Sequence, residues 1–274
     1  RIWILKKCIV VASDSDDPKR GSNGGAIYFN NFIEPILLNI DNCTFDACSA
    51  KEGGAIYINN SNADAGKNIN IRKSTFSNNY AAINGGGIYA RTGNTIHIED
   101  CLFNANAASD TDQIGNGGAI QLYQQNKVEL ISCTFYKNTA TNKGSAICGN
   151  GNKESPNLVN IKNTVIVDNY ASRQNNGRFA LDADNIGEHC IYTLTDCIIA
   201  NNKNVKNNIA DMILYNSSSS NIIKNSIVNG NYYTQTTAEK TNDKGRYKEY
   251  LTNEQLETLI KNRGVKDISI YKKK

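Results

Sequence analysis

Residues 53–79 read GGAIYINNSNADAGKNINIRKSTFSNN, and this pairing of a Gly-Gly-Ala-Ile opening with a Ser-Thr-Phe-x-x-Asn ending recurs along the chain. Copies aligned on the second motif follow one another at intervals of 27 to 35 residues. Repeats of this length with strand-forming content are typical of solenoids, in which each unit buries its apolar face by stacking on its neighbours. We therefore expect an all-β, right-handed, single-stranded parallel β-helix of about eight coils over residues 1–231.

Columns of equivalent residues support this stacking. An aliphatic residue stands three positions before a small residue that can form hydrogen bonds, and an aromatic or aliphatic residue follows two positions after it. The small column consists of Cys8, Cys43, Ser74, Cys101, Cys133, Thr164, Cys197 and Ser226. Period-two alternation, as in Asn68-Ile69-Asn70-Ile71-Arg72, indicates strands. A propeller blade would need hairpin turn signals inside each copy, and those signals are scarce.

A third column, three residues past the aromatic one, is asparagine in most copies. Its members are Asn79, Asn106, Asn138, Asn169, Asn202 and Asn231, with Ser13 and Cys48 in the first two copies. Asparagine tolerates the left-handed backbone of tight turns, and stacked amides form ladders, so we expect a shared turn here. Glycine pairs such as Gly53-Gly54 predict a second place where the backbone turns sharply or packs closely.

The repeat pattern stops after Asn231, and residues 232–274 form a separate segment. Thr252 and Gln255 are spaced as a capping box, and Gly264 is a helix stop signal. We expect a helix that caps the C-terminal end of the solenoid and covers its strand edges. The alternative is a linker to a following domain. Because Ile2 already occupies a strand column, we interpret the chain as a portion of a longer protein.

The paired motif resembles the repeats of polymorphic outer-membrane proteins. The pairs that carry the resemblance are Gly53-Gly54-Ala55-Ile56 with Phe76-Ser77-Asn78-Asn79, and Gly117-Gly118-Ala119-Ile120 with Phe135-Tyr136-Lys137-Asn138. The motif is also similar to repeats of large β-helical adhesin-like surface proteins. The resemblance implies a right-handed parallel β-helix on a cell surface, often as a passenger domain, with adhesion as its role. The partner it implies is a glycan or protein on a host or neighbouring cell.

Composition excludes several other classes of protein. The net charge is only +4, and no basic stripe is present beyond Lys272-Lys273-Lys274, which argues against nucleic-acid binding. No apolar run approaches the 18 or so residues of a membrane span. We expect an extracellular or cell-surface location, no cofactor and no metal.

Eight cysteines in an exported protein would ordinarily suggest disulfides. Five of them share the inward small column, where stacking in parallel register seldom gives the required torsion angle. We therefore favour buried free thiols over disulfides, which remain the alternative. Cys190 is expected to point inward, and Cys148 is expected to be the most exposed thiol.

An enzymatic function needs clustered carboxylates, because β-helical polysaccharide lyases and hydrolases use such groups. The candidates are Asp14, Asp16, Asp17, Asp110, Asp112, Asp182 and Asp184. They do not align in one column, so we interpret them as solvated loop residues and assign no catalytic residue. His97 and His189 lie far apart in the repeat pattern. A carbohydrate-active enzyme, either a lyase or a glycoside hydrolase, remains the second hypothesis.

A binding surface has one candidate in the sequence. Tyr28, Tyr57 and Tyr89 occupy the same outward position on consecutive coils, where a sugar ring or a protein partner could stack on them. Packing between neighbouring rings on the sheet surface would give the same pattern. We predict a non-enzymatic adhesin or spacer rod.

Overall fold

A computed structural model describes residues 2–11, 22–30, 37–59, 67–109, 115–151, 154–172, 180–183, 190–204, 222–228 and 231–237 of the chain, together with residues 252, 254, 255, 258 and 261. These residues form 28 β-strands. No helix lies in the continuous ranges up to residue 237, and among all described residues no helix is long and apolar enough to cross a membrane.

All strands except the last fall into four rows, and the chain passes through the rows in the same order in each coil. The first row has the longer strands, β1 (Ile2–Lys6), β4 (Leu37–Asp41), β8 (Lys67–Arg72), β12 (Asn94–Glu99), β16 (Lys127–Ile131), β20 (Asn157–Lys162), β24 (Cys190–Thr195) and β27 (Ile222–Val228). The second row follows after a bend and contains β2 (Ile9–Val11), β5 (Thr44–Asp46), β9 (Thr75–Ser77), β13 (Leu102–Asn104), β17 (Thr134–Tyr136), β21 (Val165–Val167) and β25 (Ile198–Ala200). Within each row the neighbours pair in parallel.

The other two rows complete the coil. The third row is β6 (Ser49–Glu52), β10 (Tyr80–Asn84), β14 (Ala107–Ala108), β18 (Thr139–Ala140), β22 (Tyr170–Ala171) and β26 (Lys203–Asn204). The fourth row is β3 (Ile27–Asn30), β7 (Ile56–Asn59), β11 (Ile88–Thr92), β15 (Ile120–Gln124), β19 (Ile147–Gly149) and β23 (Leu181–Ala183). Each of these rows is a parallel sheet of six strands.

This arrangement is an all-β parallel β-solenoid, which confirms that part of the predicted fold class; the right-handed sense of the coil stays a prediction. Five turns, from β4–β7 to β20–β23, have all four strands among the described residues. The predicted count of about eight coils is not supported, because the turns before and after these five are incomplete in the described part of the chain.

Two bends in each turn use left-handed backbone at residues other than glycine. The residue just before the small column has a φ between 45° and 55°, as at Lys73 and Asp100. The residue just before the asparagine column has a φ between 53° and 59°, as at Asn78 and Lys137. Such a conformation costs about 1–2 kcal/mol per residue. It is offset by cross-coil bonds such as the one from the Lys73 N–H to the Glu99 carbonyl, 3.0 Å long.

The glycine pair makes the bend that leads into the fourth row. Gly53 has a φ of +64°, in the left-handed region. A Cβ on Gly54 would clash with the carbonyl oxygens of Tyr80 and Gly86 in the next coil. The first glycine is therefore needed for its conformation and the second for close backbone contact, as the sequence predicted for this motif.

The core is a set of stacked columns. The rings of Phe45, Phe76, Phe103 and Phe135 lie parallel, with centroids 4.7–4.8 Å apart, and all four are fully buried. Burying one such ring contributes about 1.5–3 kcal/mol. Ile40, Ile71, Ile98 and Leu130 form the aliphatic column beside them.

The solenoid changes at its C-terminal end. Strand β28 (Asn231–Thr237) runs antiparallel to β27, with Val228 opposite Asn231. The helix predicted after it is not supported. Of that segment only scattered exposed residues belong to the described part, where Thr252 and Gln255 exchange the two hydrogen bonds of a capping box, at 2.8 and 3.2 Å. The division of the chain at residue 231 remains a prediction.

Candidate binding surfaces

The cysteine-rich small column serves the fold. The Cys43 N–H donates to the Ser74 hydroxyl oxygen of the next coil at 3.1 Å, and the Ser74 hydroxyl donates to the Arg72 carbonyl at 2.7 Å. The thiols make the same two contacts: Cys101 Sγ accepts from the Ser74 N–H and donates to the Glu99 carbonyl. Cysteine, serine and threonine can each occupy a position in this column, because each side chain provides a donor and an acceptor.

The asparagine column is a second internal ladder. Asn106 Nδ2 donates to the Phe76 carbonyl of the previous coil and to Asn138 Oδ1 of the next, both at 2.9 Å. Asn79, Asn138, Asn169 and Asn202 are likewise fully buried and linked in series. These asparagines do not adopt the left-handed turn conformation expected of them, since the preceding residue does. The side chain of Asn231 lies outside the described part.

Two further amide ladders were missed by the sequence analysis. Asn94, Asn126 and Asn157 are buried and joined amide to amide at 2.8 and 3.0 Å. A partly buried series at another bend links the side chains of Glu52, Asn84, Asn116 and Asn142. Both sets recur at intervals close to the length of one coil, and that spacing is the signal that could have revealed them.

The tyrosine column has the predicted register but not the predicted exposure. Tyr28, Tyr57 and Tyr89 pair in sequence across β3, β7 and β11, with ring centroids 5.2 and 5.4 Å apart. Tyr28 is 51% exposed, whereas Tyr57 and Tyr89 are only 3% and 5% exposed. The prediction of an exposed stripe of three rings is therefore wrong, and only Tyr28 offers an accessible face.

Arg91 is a charged neighbour of the two buried tyrosines. Its guanidinium lies 5.7 Å from the centre of the Tyr123 ring. Burial raises the pKa of Tyr57, partly offset by Arg91, and burial also raises the pKa of Tyr89. Both phenols are therefore neutral at physiological pH and act as packing groups.

None of the eight cysteines, all of which lie among the described residues, forms a disulfide, and seven of them are buried. Cys190 belongs to the core, as predicted. Cys148 is fully buried, with its thiol 3.4 Å from Asn150 Oδ1, so the expectation that it is the most exposed thiol is wrong. The half-buried thiol is Cys8. Burial raises the pKa of Cys48 to about 11, which disfavours the reactive thiolate.

The carboxylates considered for catalysis lie outside the part of the chain whose side chains are described. Among the described residues, no group of three histidines, cysteines or carboxylates could hold a metal ion. His97 is the described histidine, and its ring nitrogens lie 2.9 Å from Glu129 Oε2 and 3.6 Å from Glu99 Oε2. These contacts link β12 and β16 on the outer face of the first row.

That outer face carries a broad shallow groove of about 670 Å³ across β1, β4, β8 and β12. Asn70 Nδ2 donates to Asn39 Oδ1 at 2.8 Å, and Arg72 Nε lies 3.3 Å from Glu99 Oε2. The charged residues lining the groove are three cations and three acids, Lys6, Arg72, Lys73, Asp41, Glu99 and Asp100. The groove thus has no net charge and presents both donors and acceptors.

A second groove of about 390 Å³ continues along the same face from β12 to β24. It is more apolar, and Leu158, one of its lining residues, is 43% exposed. His97 and Glu129 also line this groove. The two grooves together form a strip along the outer face of the first row, which we call the first-row strip.

A family model described as the Chlamydia polymorphic membrane protein repeat matches residues 73–91 and 132–150. Each matched stretch begins at the left-handed residue before the small column and runs to the fourth row of its coil. These two stretches are thus similar to polymorphic membrane protein repeats, and the parallel β-solenoid is consistent with a repeat protein of that kind. No curated protein and no solved structure matches the chain.

Proposed function

We propose that this chain is a non-enzymatic, surface-displayed adhesin-type rod and that the first-row strip is its contact surface. The repeat match favours a surface-associated passenger, because polymorphic membrane proteins are surface proteins. The coil is expected to be right-handed, since parallel crossovers nearly always are.

The observation that carries the proposal is the first-row strip itself. Inner columns are occupied by stacking residues, and the tyrosine column is largely buried. The first-row strip instead presents side chains in register on successive strands, spaced about 4.8 Å apart along the rod. Its inward neighbours Ile40, Ile71 and Ile98 are buried in the core, which fixes the outward direction of the alternating residues.

The chemistry of the larger groove favours a neutral, polar partner. A polyanion would be attracted to an excess of cations, but here cations and acids balance. The Asn39–Asn70 amide pair offers donors and acceptors of the kind that recognise hydroxyl groups. We therefore expect the partner to be a neutral glycan on a host or neighbouring cell, or the glycan part of a glycoprotein.

The test is binding of the whole chain to a glycan array, with polysaccharide cleavage followed in the same samples. The double variant Asn70→Ala/Arg72→Ala removes one amide and one cation from the larger groove. We expect binding to fall roughly tenfold or more, which corresponds to about 1.4 kcal/mol. Lys51→Ala, an exposed cation on the third row, is the matched control and should bind as the unaltered chain does.

Three results would count against the proposal. Equal binding by the double variant and by Lys51→Ala would exclude the first-row strip. Loss of binding in Tyr28→Ala alone would place recognition on the fourth row. Cleavage of a polysaccharide would favour the enzymatic hypothesis.

A further inference from the structure

The outer face of the second row changes in character along the rod. In each of its strands the middle residue points into the core, and the residues on either side point outward. In the first coils the outward residues are mostly polar and partly exposed, as at Thr44, Asp46 and Ser77. In β21 and β25 they are apolar and at most 1% exposed. These residues are Val165, Val167, Ile198 and Ala200, which we call the outer apolar patch.

The outer apolar patch is buried by something other than its own sheet. It packs outside the core cluster, which contains Ile166 and Ile199 from the same strands. Strand β21 pairs with β17 and β25, and such neighbours lie beside a strand, not over its face. Thr75 also has a paired strand on each side and is still partly exposed. Because the structure contains a single chain, another part of that chain covers the outer apolar patch.

The covered surface extends beyond the outer apolar patch. At the bend that follows the second row, Lys137 is exposed, whereas Asn201, two coils later in the same column, is only 7% exposed. Between them, burial raises the pKa of the Asp168 carboxyl. The outward residue Ile227, beside Ile198 in the next coil, is 8% exposed. The covering layer therefore spans the last coils from the second row to the bend after it.

The C-terminal segment has the composition required of such a layer. Four of its residues are described, polar and exposed, and they recur at the spacing of one side of a helix: Glu254, Gln255, Thr258 and Lys261. Leu256, Leu259 and Ile260 occupy the opposite side of the same pattern. A segment with one apolar and one polar side is stable when its apolar side packs on an apolar surface.

The connections near the outer apolar patch are less suitable as its cover. Residues 205–221 provide 17 residues between β26 and β27, and the chain uses 18, with β23 among them, to pass from β22 to β24. That length is therefore required to complete a coil. The stretches 173–179 and 184–189 each contain one large apolar residue, Phe179 and Ile186.

The C-terminal segment is also long enough to reach the second row. Strand β28 ends at Thr237, which lies opposite Ile222 at the start of β27. Thirteen residues, 238–250, separate this point from Leu251. Fully extended they span about 43 Å. Strand β27, which runs from the first row into the second, is only about 23 Å long.

We propose that the outer apolar patch is the docking surface of the chain's own C-terminal segment, residues 251–261, through Leu256, Leu259 and Ile260. The segment packs along the flank of the last coils, not over the end of the stack, where β28 already pairs with β27. It gives the apolar outward residues of β21 and β25 a second packing layer. The first-row strip, on another face of the coil, stays open.

The first measurement compares two reporter thiols at equivalent outward positions. Ala200→Cys lies in the outer apolar patch, and Asn104→Cys lies in the same column three coils earlier, where the residue is partly exposed. Both are made with Cys8→Ser, which removes the half-buried native thiol. The thiol at position 200 should be alkylated at least tenfold more slowly than the one at position 104, because its reaction requires the covering layer to open.

The second step removes the apolar side of the segment. Leu256→Asn/Leu259→Asn should raise the alkylation rate at position 200 about tenfold or more and leave the rate at position 104 unchanged. The matched control, Thr258→Asn/Lys261→Asn, introduces the same residue type on the exposed side and should leave both rates unchanged. Circular dichroism of each variant checks that the solenoid is still folded.

A proximity measurement tests the same contact without weakening it. In the Cys8→Ser chain, the pair Ala200→Cys/Leu259→Cys should be joined by a short bis-maleimide, read by peptide mass spectrometry. The pair Asn104→Cys/Leu259→Cys should not, because position 104 lies about 14 Å further along the rod.

Three results would overturn the proposal. One is rapid alkylation at position 200 in the chain with an unaltered C-terminal segment. Another is equal protection of position 200 in the two double variants together with no cross-link to position 259, which would assign the cover to a different part of the chain. The third is protection that rises with concentration and is accompanied by a dimer in light scattering, which would make a second copy the cover. None of them depends on whether the first-row strip binds a glycan.

Discussion

Replacing Asn106 by alanine tests whether the internal amide ladder stabilises the rod. Asn106 is fully buried and makes four side-chain hydrogen bonds to three neighbours. Its Nδ2 donates to the Phe76 carbonyl and to Asn138 Oδ1, and its Oδ1 accepts from the backbone and side chain of Asn79. The variant Asn106→Ala removes all four.

The expected loss in the free energy of unfolding follows from the polar groups that lose a hydrogen-bond partner in the variant. The Asn79 N–H loses its acceptor, 3.2 Å away, and the Phe76 carbonyl loses a donor, 2.9 Å away. Asn79 Nδ2 keeps its bond to the Phe45 carbonyl, and Asn138 Oδ1 keeps the Asn106 N–H. The Phe76 carbonyl still faces the β13 backbone in the parallel ladder, so the group left without a partner is the Asn79 N–H, and such a loss costs about 1–3 kcal/mol.

The assay is urea unfolding followed by far-ultraviolet circular dichroism, with Asn160→Ala as the control. Asn160 is an exposed first-row asparagine, and its replacement should change the free energy of unfolding by no more than about 0.5 kcal/mol. Equal midpoints and slopes for the two variants would refute the reasoning. Hydrogen exchange should locate the loss in the coils on either side of residue 106, because solenoid interfaces are largely local.

The remaining predictions concern the core, the thiols, the close backbone contact and one carboxylate. Phe103→Ala removes a ring from the middle of the phenylalanine stack and should lower the free energy of unfolding by about 3–5 kcal/mol in the same urea assay. A thiol reagent at pH 8 should modify Cys8 first and the seven buried thiols only after denaturant is added; a second rapidly reacting thiol in the folded chain would contradict the structure. Gly54→Ala should prevent native packing, seen as a loss of the cooperative melting transition, because its Cβ would overlap the backbone of the next coil. Hydrogen bonds from Ser77 Oγ, at 2.6 Å, and from an asparagine amide hold the pKa of Asp46 below its usual value of 3.8. The stability from this contact is therefore present above pH 3.8 and lost as the pH falls through the lowered value, so Ser77→Ala should destabilise the chain at pH 7 and converge with the unaltered chain at strongly acidic pH.

The stacking could be predicted from the sequence because residues that lie over each other in successive coils must have similar shapes, which produces the repeated columns. Phe76 and Phe103 lie over each other, so a residue of another shape at either position would open a gap or a clash. The bends were less predictable. Lys73 and Ala105 adopt left-handed backbone without being glycine, because cross-coil hydrogen bonds from their N–H groups offset the local cost. Because asparagine adopts left-handed backbone more readily than most residues, the sequence placed the turn at the asparagine instead of at the residue before it.

The solvent exposure of a side chain was harder to predict than the face of the strand on which it lies. Alternation in the fourth row correctly placed Tyr57 on the face opposite Ile56 and Ile58, which belong to the core. Whether an outward side chain is also accessible depends on what covers it. Tyr57 is 3% exposed, and Cys148, at the same position three coils later, is also buried. A column pattern carries no information about such covering contacts.

Inward and outward positions of a coil differ in how strongly packing restricts the residue, and this difference predicts which positions can determine binding specificity. Inner columns must repeat, since each side chain packs on its own equivalent, and a change such as Asn106→Ala should alter stability wherever the binding site is. Outer positions have no such constraint, and the column of Asn39, Asn70, His97 and Glu129 accordingly changes from amide to imidazole to carboxylate along the rod. Asn70→Ala should therefore weaken binding while leaving unfolding nearly unchanged. If both properties changed together in either variant, stacking and recognition would share residues, and the first-row strip would not be an independent binding surface.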